Sequence, residues 1–246
     1  MSRQDNNMNK LQNKHVVIVG GSSGIGLAIA ENALQNHAVV TIASRSNEKL
    51  SNAKSQLLDR ANTYSLDYRD ENQLINFFNQ IGHFDHLIIS AAEVNLGTIT
   101  EMPISKAKEV FNSKFWGSYQ TIKHALSMIN KNGSIILFSG RLSQRPTNNG
   151  SSLLSAVNSA IEGLGRALAL ELSPIRVNVI APGFTQTKMN QEPCEAVNQQ
   201  YATICEQFII KRPAEPNEIA LAAIYLMENT YATGSTLFVD GGYTFR

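Results

Sequence analysis

The amino-acid sequence predicts an α/β protein with one doubly wound, largely parallel sheet and helices on both faces. Three observations carry this expectation. Several short runs are nearly continuous in Val, Ile and Leu, the pattern of strands covered on both sides. These runs alternate with stretches of helical periodicity, which favours right-handed βαβ crossovers. A glycine-rich turn, Gly20-Gly21-Ser22-Ser23-Gly24-Ile25-Gly26, links the first strand to the first helix. In order, strands are expected at 15–19, 39–43, 63–66, 86–90, 134–139, 176–180 and 236–239. Helices are expected at 25–35, 47–58, 71–80, 104–130, 152–172 and 216–228. No repeat or low-complexity linker divides the chain, so one domain over 14–246 is expected behind a frayed, Asn-rich leader at 1–13.

Composition narrows the partners. The formal net charge of +1, with no basic block or acidic tail, argues against nucleic acid or an anionic membrane. No apolar run approaches the roughly 20 residues that span a bilayer, and the leader lacks the apolar core of a signal peptide. A cytoplasmic protein is therefore expected. The two cysteines, Cys194 and Cys205, are not expected to pair in such a chain. The five histidines form no ligand cluster. His83 and His86 flank Asp85 at a strand entrance, read as solvated rather than as a metal site. No metal is expected.

The glycine-rich turn sits between strand and helix at the head of the first βαβ unit, where a dinucleotide loop belongs. Glycines let the backbone approach a pyrophosphate, and the helix N-terminus offers it free N–H groups. Gly20, Ser22, Ser23, Gly24, Ile25 and Gly26 are therefore candidate phosphate contacts. An NAD site wants a carboxylate at the end of the second strand for the ribose 2′-hydroxyl. This chain instead reads Ile42-Ala43-Ser44-Arg45-Ser46. Arg45 between Ser44 and Ser46 suits a 2′-phosphate, and the expected cofactor is NADP(H).

These residues, with Asp67 after the third strand, the stretch Arg176-Val177-Asn178-Val179-Ile180-Ala181-Pro182-Gly183, Thr187, Thr233-Gly234-Ser235 and Asp240-Gly241-Gly242, resemble the short-chain dehydrogenase/reductase family over residues 14–244. The resemblance implies a single-domain Rossmann-type sheet of seven parallel strands, order 3-2-1-4-5-6-7. It implies a small-molecule substrate and a homodimer or homotetramer packed through the long central helices. It also implies cofactor contacts from Asp67, Tyr68, Ala91, Ala92, Pro182, Gly183, Phe184, Thr185 and Thr187.

Departures from the family pattern concentrate at the catalytic positions. The family's Thr before the loop is Val19, and its Asn-Asn-Ala-Gly segment is Ser90-Ala91-Ala92-Glu93. Its catalytic Asn, Ser, Tyr and Lys fall, without a gap, on Lys114, Gly140, Leu154 and Asn158. Hydride reduction of a ketone needs a proton for the nascent alkoxide, and leucine cannot give one. The Asn and Lys identities are exchanged between Lys114 and Asn158, which are expected to share one polar pocket. Two readings of Lys114 stay open. Either it restores the lost positive charge beside the nicotinamide ribose and serves as an acid if desolvated, or it snorkels to solvent.

Lys114, Ser139 and Asn158 are the catalytic candidates. Ser139 is placed to meet the carboxamide or a substrate oxygen. Arg141, Ser143, Gln144 and Arg145 lie in the loop after the fifth strand, where sheets of this type present ligand sites; the arginines either attract an anionic substrate or form a solvated loop. Asn178 is expected to support backbone, and Ser151, Ser152 and Ser155 to lie at a helix start. Residues 185–216 read as a lid, with Met189, Tyr201, Ile204 and Phe208 available to line a pocket. Two functions follow: an NADP(H)-dependent oxidoreductase with an atypical active site, or a non-catalytic NADP(H)-binding sensor or scaffold.

Overall fold

Side chains alternate across each strand, and here both faces are apolar. Val16 and Ile18 of β1 (His15–Val19) enter one core, while Val17 and Val19 enter the other. The computed structural model, which describes residues 10–93, 95–148, 150–187 and 203–245, repeats this on every inner strand. The remaining strands are β2 (Val39–Ser44), β3 (Ala61–Ser65), β4 (Phe84–Ile89), β5 (Ile129–Phe138), β6 (Arg176–Pro182) and β7 (Thr236–Val239). All pair in parallel, in the order β3-β2-β1-β4-β5-β6-β7.

Helices α1 (Gly24–Gln35), α2 (Asn47–Gln56) and α7 (Pro216–Glu228) fill one core with Ile29, Leu50 and Ile219. Helices α3 (Glu71–Ile81), α5 (Gly117–Ala125) and α6 (Ser152–Glu171) fill the other with Phe77, Ile122 and Ile161. Helix starts are capped locally, as the sequence allows. Ser46 accepts from Lys49 N, Asp70 accepts from Asn72 N and Gln73 N, and Glu215 and Glu218 form a reciprocal box around Pro216. No helix among the described residues is long and apolar enough to cross a membrane.

Several expected boundaries move. The helix expected over 104–130 is three pieces: α4 (Ile104–Phe111), a π-turn (Asn112–Trp116) and α5. It stops at Ala125 because Met128 N returns to Ala125 O and residue 129 already pairs with Phe84. The polar stretch 130–132 hid the start of β5 from a reading based on apolar runs. His86, expected at a solvated entrance, is buried inside β4 with Nδ1 2.8 Å from Ser134 Oγ. Leu11, assigned to the leader, is fully buried in the α1-side core. Asn178 does support backbone, accepting from Ser235 N and donating to Ala232 O.

Candidate active site

The strand order reverses between β1 and β4, and a crevice opens there at the carboxyl ends of the strands, as expected of such sheets. Its cavity is about 290 Å³, and its wall includes Gly20, Ser22, Ser23, Gly24, Ile25, Gly26, Ser44, Arg45, Tyr68, Ala91, Ala92, Lys114, Ser139, Pro182 and Thr187. The glycine-rich turn is shaped by close approach. A Cβ on Gly26 would lie 2.3 Å from Gly20 O, and one on Gly20, where φ is 95°, would lie 2.5 Å from Ala91 N. Ser23 precedes α1 without a side-chain cap bond, and the first turn carries no acid. The helix N-terminus therefore keeps its amides and positive dipole end for an anion. Ser22 Oγ donates to Ser44 Oγ at 2.8 Å, tying the turn to the end of β2.

Arg45 lies at the crevice as expected, but it is paired. Its Nη1 is 2.8 Å from Glu93 Oε1, and Glu93 also meets Arg69 Nη1 at 3.4 Å. Glu93 was missed as a site residue although it stands where the family has glycine. Lys49, in the first turn of α2, also lines the crevice; a second cation four residues after Arg45 was the signal for it. Asp67 is held by the Arg69 guanidinium at 2.7 Å, which keeps its carboxyl below the usual range, and it does not line the cavity. Tyr68 does line it, but its hydroxyl is 2.7 Å from Ser113 Oγ, and burial raises its pKa.

Four further candidates lie off the crevice. Ser46 caps α2. Gly183 and Phe184 border a separate cavity with Phe208 and Asp240. Thr185 bridges to Ala214 and donates to Gly183 O at 3.3 Å. Met189, Tyr201 and Cys194 fall outside the described residues; Ile204 lines a cavity with Arg141, and Cys205 is buried.

The exchanged pair is in contact. Lys114 sits on the π-turn, where one extra residue per turn re-aims side chains. Its Nζ donates to Asn158 Oδ1 at 2.6 Å and to Ser139 O at 2.7 Å. Lys114 is buried rather than snorkelled. Desolvation lowers its pKa to about 8, against a smaller raising effect from the Glu162 charge. Gly140 fits the same arrangement: a Cβ there would lie 3.0 Å from Asn158 Nδ2, which instead reaches Gly140 O at 3.4 Å. Ser139 Oγ is buried and has no hydrogen-bond partner among the described residues. Leu154 packs with Val110 and Val157 in a small apolar cluster. Ser151 precedes α6 but bonds Thr147 rather than the helix amides.

A family model described as enoyl-(acyl carrier protein) reductase matches residues 19–244. The short-chain dehydrogenase/reductase ATR9 of Stachybotrys chlorohalonatus is 32% identical over 250 residues, spanning 96% of this chain and 98% of that protein. Carbonyl reductase family member 4 of Xenopus tropicalis is 30% identical, spanning 93% and 97%. Among solved structures, a small-chain dehydrogenase in complex with NADPH is 32% identical with a TM-score of 0.84, covering 96% of this chain and all (100%) of that one. The MalC reductase/Diels-Alderase of Malbranchea aurantiaca is 26% identical with a TM-score of 0.90, covering 97% and 98%. The chain belongs to the short-chain dehydrogenase/reductase family, a family of oxidoreductases.

Proposed function

We propose that this protein is an NADP(H)-dependent oxidoreductase acting on a small molecule, with Lys114 supplying the proton that a phenol supplies elsewhere in the family. The observation that carries the reading is the buried contact of Lys114 Nζ with Asn158 Oδ1 at the wall of the crevice. The residues present fit the nucleotide. The turn around Gly20 and Gly26 has no room for side chains, and the α1 amides would hold the pyrophosphate. Arg45 and Lys49 would hold the 2′-phosphate through charge-assisted bonds, and β2 ends without the acid that NAD favours. Bound there, the nicotinamide supplies hydride to a carbonyl, imine or conjugated double bond. The NADPH complex of a relative supports the same choice of cofactor.

The chain's own part is to hold and move a proton. An ammonium has three N–H donors. Asn158 Oδ1 and Ser139 O take two, which leaves one for an oxygen in the crevice. A pKa of about 8 keeps Lys114 protonated at neutral pH while making proton release easier than from an ordinary lysine. The Ser139 hydroxyl, buried without a partner among the described residues, would be free to bond the same oxygen. Asn158 and the Ser139 carbonyl act by orienting Nζ. Exposed Trp116 and Tyr119, on and beside the π-turn, support assembly as a homodimer or homotetramer.

The test is NADPH consumption across carbonyls, imines and enones, with Lys114→Ala run beside the parent. Carbonyl turnover is expected to fall about 10²–10⁴-fold in the variant. In the parent, carbonyl reduction declines as pH rises through about 8, because the folded protein loses its ammonium there. Unchanged turnover in the variant rejects the assignment. Tight NADPH binding without turnover on any class favours a sensor or scaffold, a role with which the apolar packing of Leu154 is compatible.

A further inference from the structure

Beyond Gly140 the chain turns through a short 3-10 segment, Arg141–Ser143. A further cavity of about 210 Å³ opens beside it, walled by Arg141, Arg145, Leu96, Gln207 and Tyr243 among others. Among the described residues its charge is one-sided: two guanidiniums and no acidic side chain line it. Both guanidiniums lie against the same ring, Arg141 at 4.2 Å and Arg145 at 4.9 Å from the Tyr243 centroid, and Arg141 is also 5.4 Å from that of Phe208. Aromatic stacking takes the flat face of a guanidinium and leaves its in-plane N–H groups to donate.

No salt bridge within the described residues neutralises this pair, and Arg141 Nη1 is buried without a hydrogen-bond partner among them. Arg145 Nη1 donates to a carbonyl, Tyr243 O, at 2.8 Å. The charge of Asp240 reaches Arg141, but its oxygens already accept from Gly242 N and Thr244 N. Glu162 does not line the cavity and accepts from Gln144 Nε2 at 3.3 Å. Two like charges gathered beside apolar groups, with the Asp240 charge acting on one of them and no salt bridge to either among the described residues, disfavour the free protein. They favour a bound anion.

The wall of this cavity continues the chain that leads out of the proposed reaction centre. Arg141 is two residues from Ser139, so their Cα atoms are at most about 8 Å apart. The intervening Gly140 O accepts from Asn158 Nδ2 and, at 3.1 Å, from Ser143 Oγ. We infer that the Arg141–Arg145 cavity binds the carboxylate of the substrate, so that the protein acts on oxo acids or their hydroxy counterparts with the reacting carbon a few bonds from the carboxylate. This rests on the oxidoreductase reading for the identity of the reacting group, but the anion site is testable without it.

The experiment pairs pyruvate, phenylpyruvate and 4-oxopentanoate with their methyl esters, measuring NADPH oxidation and, separately, calorimetric binding to the NADPH-loaded protein. At least one acid is expected to exceed its ester tenfold or more in kcat/KM and in affinity. That ratio is expected to collapse to within threefold in Arg145→Gln and to survive in part in Arg145→Lys. Arg141→Lys, which keeps the buried charge, should also reduce it. Acid-selective binding that Arg145→Gln abolishes, without any turnover, upholds the anion site while the oxidoreductase reading fails. Turnover of esters as efficient as acids overturns the anion site and leaves the reductase standing. Failure of every acid to bind overturns it too, as does acid binding indifferent to both arginine changes.

Discussion

Lys114, Asn158 and Gly140 depart from the family together, and their contacts explain why. The ammonium needs an acceptor where the family has its lysine, Asn158 provides Oδ1 at 2.6 Å, and the missing side chain at Gly140 makes room for the amide. The exchange was visible in the sequence as two identities in swapped places. A shared pocket was expected from it; a direct bond across 44 residues of chain was not legible, because contact depends on how the π-turn aims Lys114 at α6. Glu93 was less legible still. A glutamate after β4 reads as an ordinary surface charge until the fold sets it 2.8 Å from Arg45. There it competes with any phosphate for the same guanidinium. Glu93→Gln is therefore expected to tighten NADPH binding severalfold while leaving NADH nearly unchanged, since one like charge leaves the 2′-phosphate subsite. Arg45→Ala is expected to weaken NADPH much more than NADH. Fluorescence titration of both nucleotides checks this, and equal losses for the two in Arg45→Ala would overturn the 2′-phosphate assignment.

At the scale of elements, caps and close approaches decide where secondary structure begins and ends. Arg176, at the start of β6, is the strongest case. Its Nη1 donates to Leu226 O, Asn229 O and Ala232 O at 2.6–3.1 Å, and its Nη2 to Met227 O at 2.8 Å. One buried cation thus satisfies carbonyls at the C-terminus of α7, where the helix dipole is negative. Sequence patterning flagged this arginine only as the first residue of a strand motif, since its acceptors lie some fifty residues on. Replacing it by methionine leaves those carbonyls buried and unpaired. Arg176→Met is expected to lose roughly 2–4 kcal/mol of stability. Urea unfolding reads this directly, and a loss below about 1 kcal/mol would mean that water or relaxation meets those carbonyls instead.

For the molecule as a whole, stability has a built-in acid weakness. His86 is buried in β4, the central strand of the sheet, and desolvation lowers its pKa from 6.5 to about 4, despite the opposing charge of Asp85. The unfolded chain binds a proton below about 6.5 that the folded chain refuses until about 4. Stability is therefore full above that window and declines as pH falls through it, by about 3 kcal/mol in all. His86→Gln should flatten this decline in urea unfolding measured from pH 7 to pH 4; an unaltered slope would assign the acid sensitivity elsewhere. The order of strands and helices, the glycine-rich turn and the absence of a catalytic phenol were all legible in the chain, because periodicity, turn chemistry and residue identity are encoded within a few neighbouring positions. Only the folded molecule revealed that Lys114 is dry, that Glu93 occupies Arg45 and that Arg141 and Arg145 share one aromatic ring. Those properties depend on solvent exclusion and on charges brought together from distant parts of the chain, and no local pattern records either.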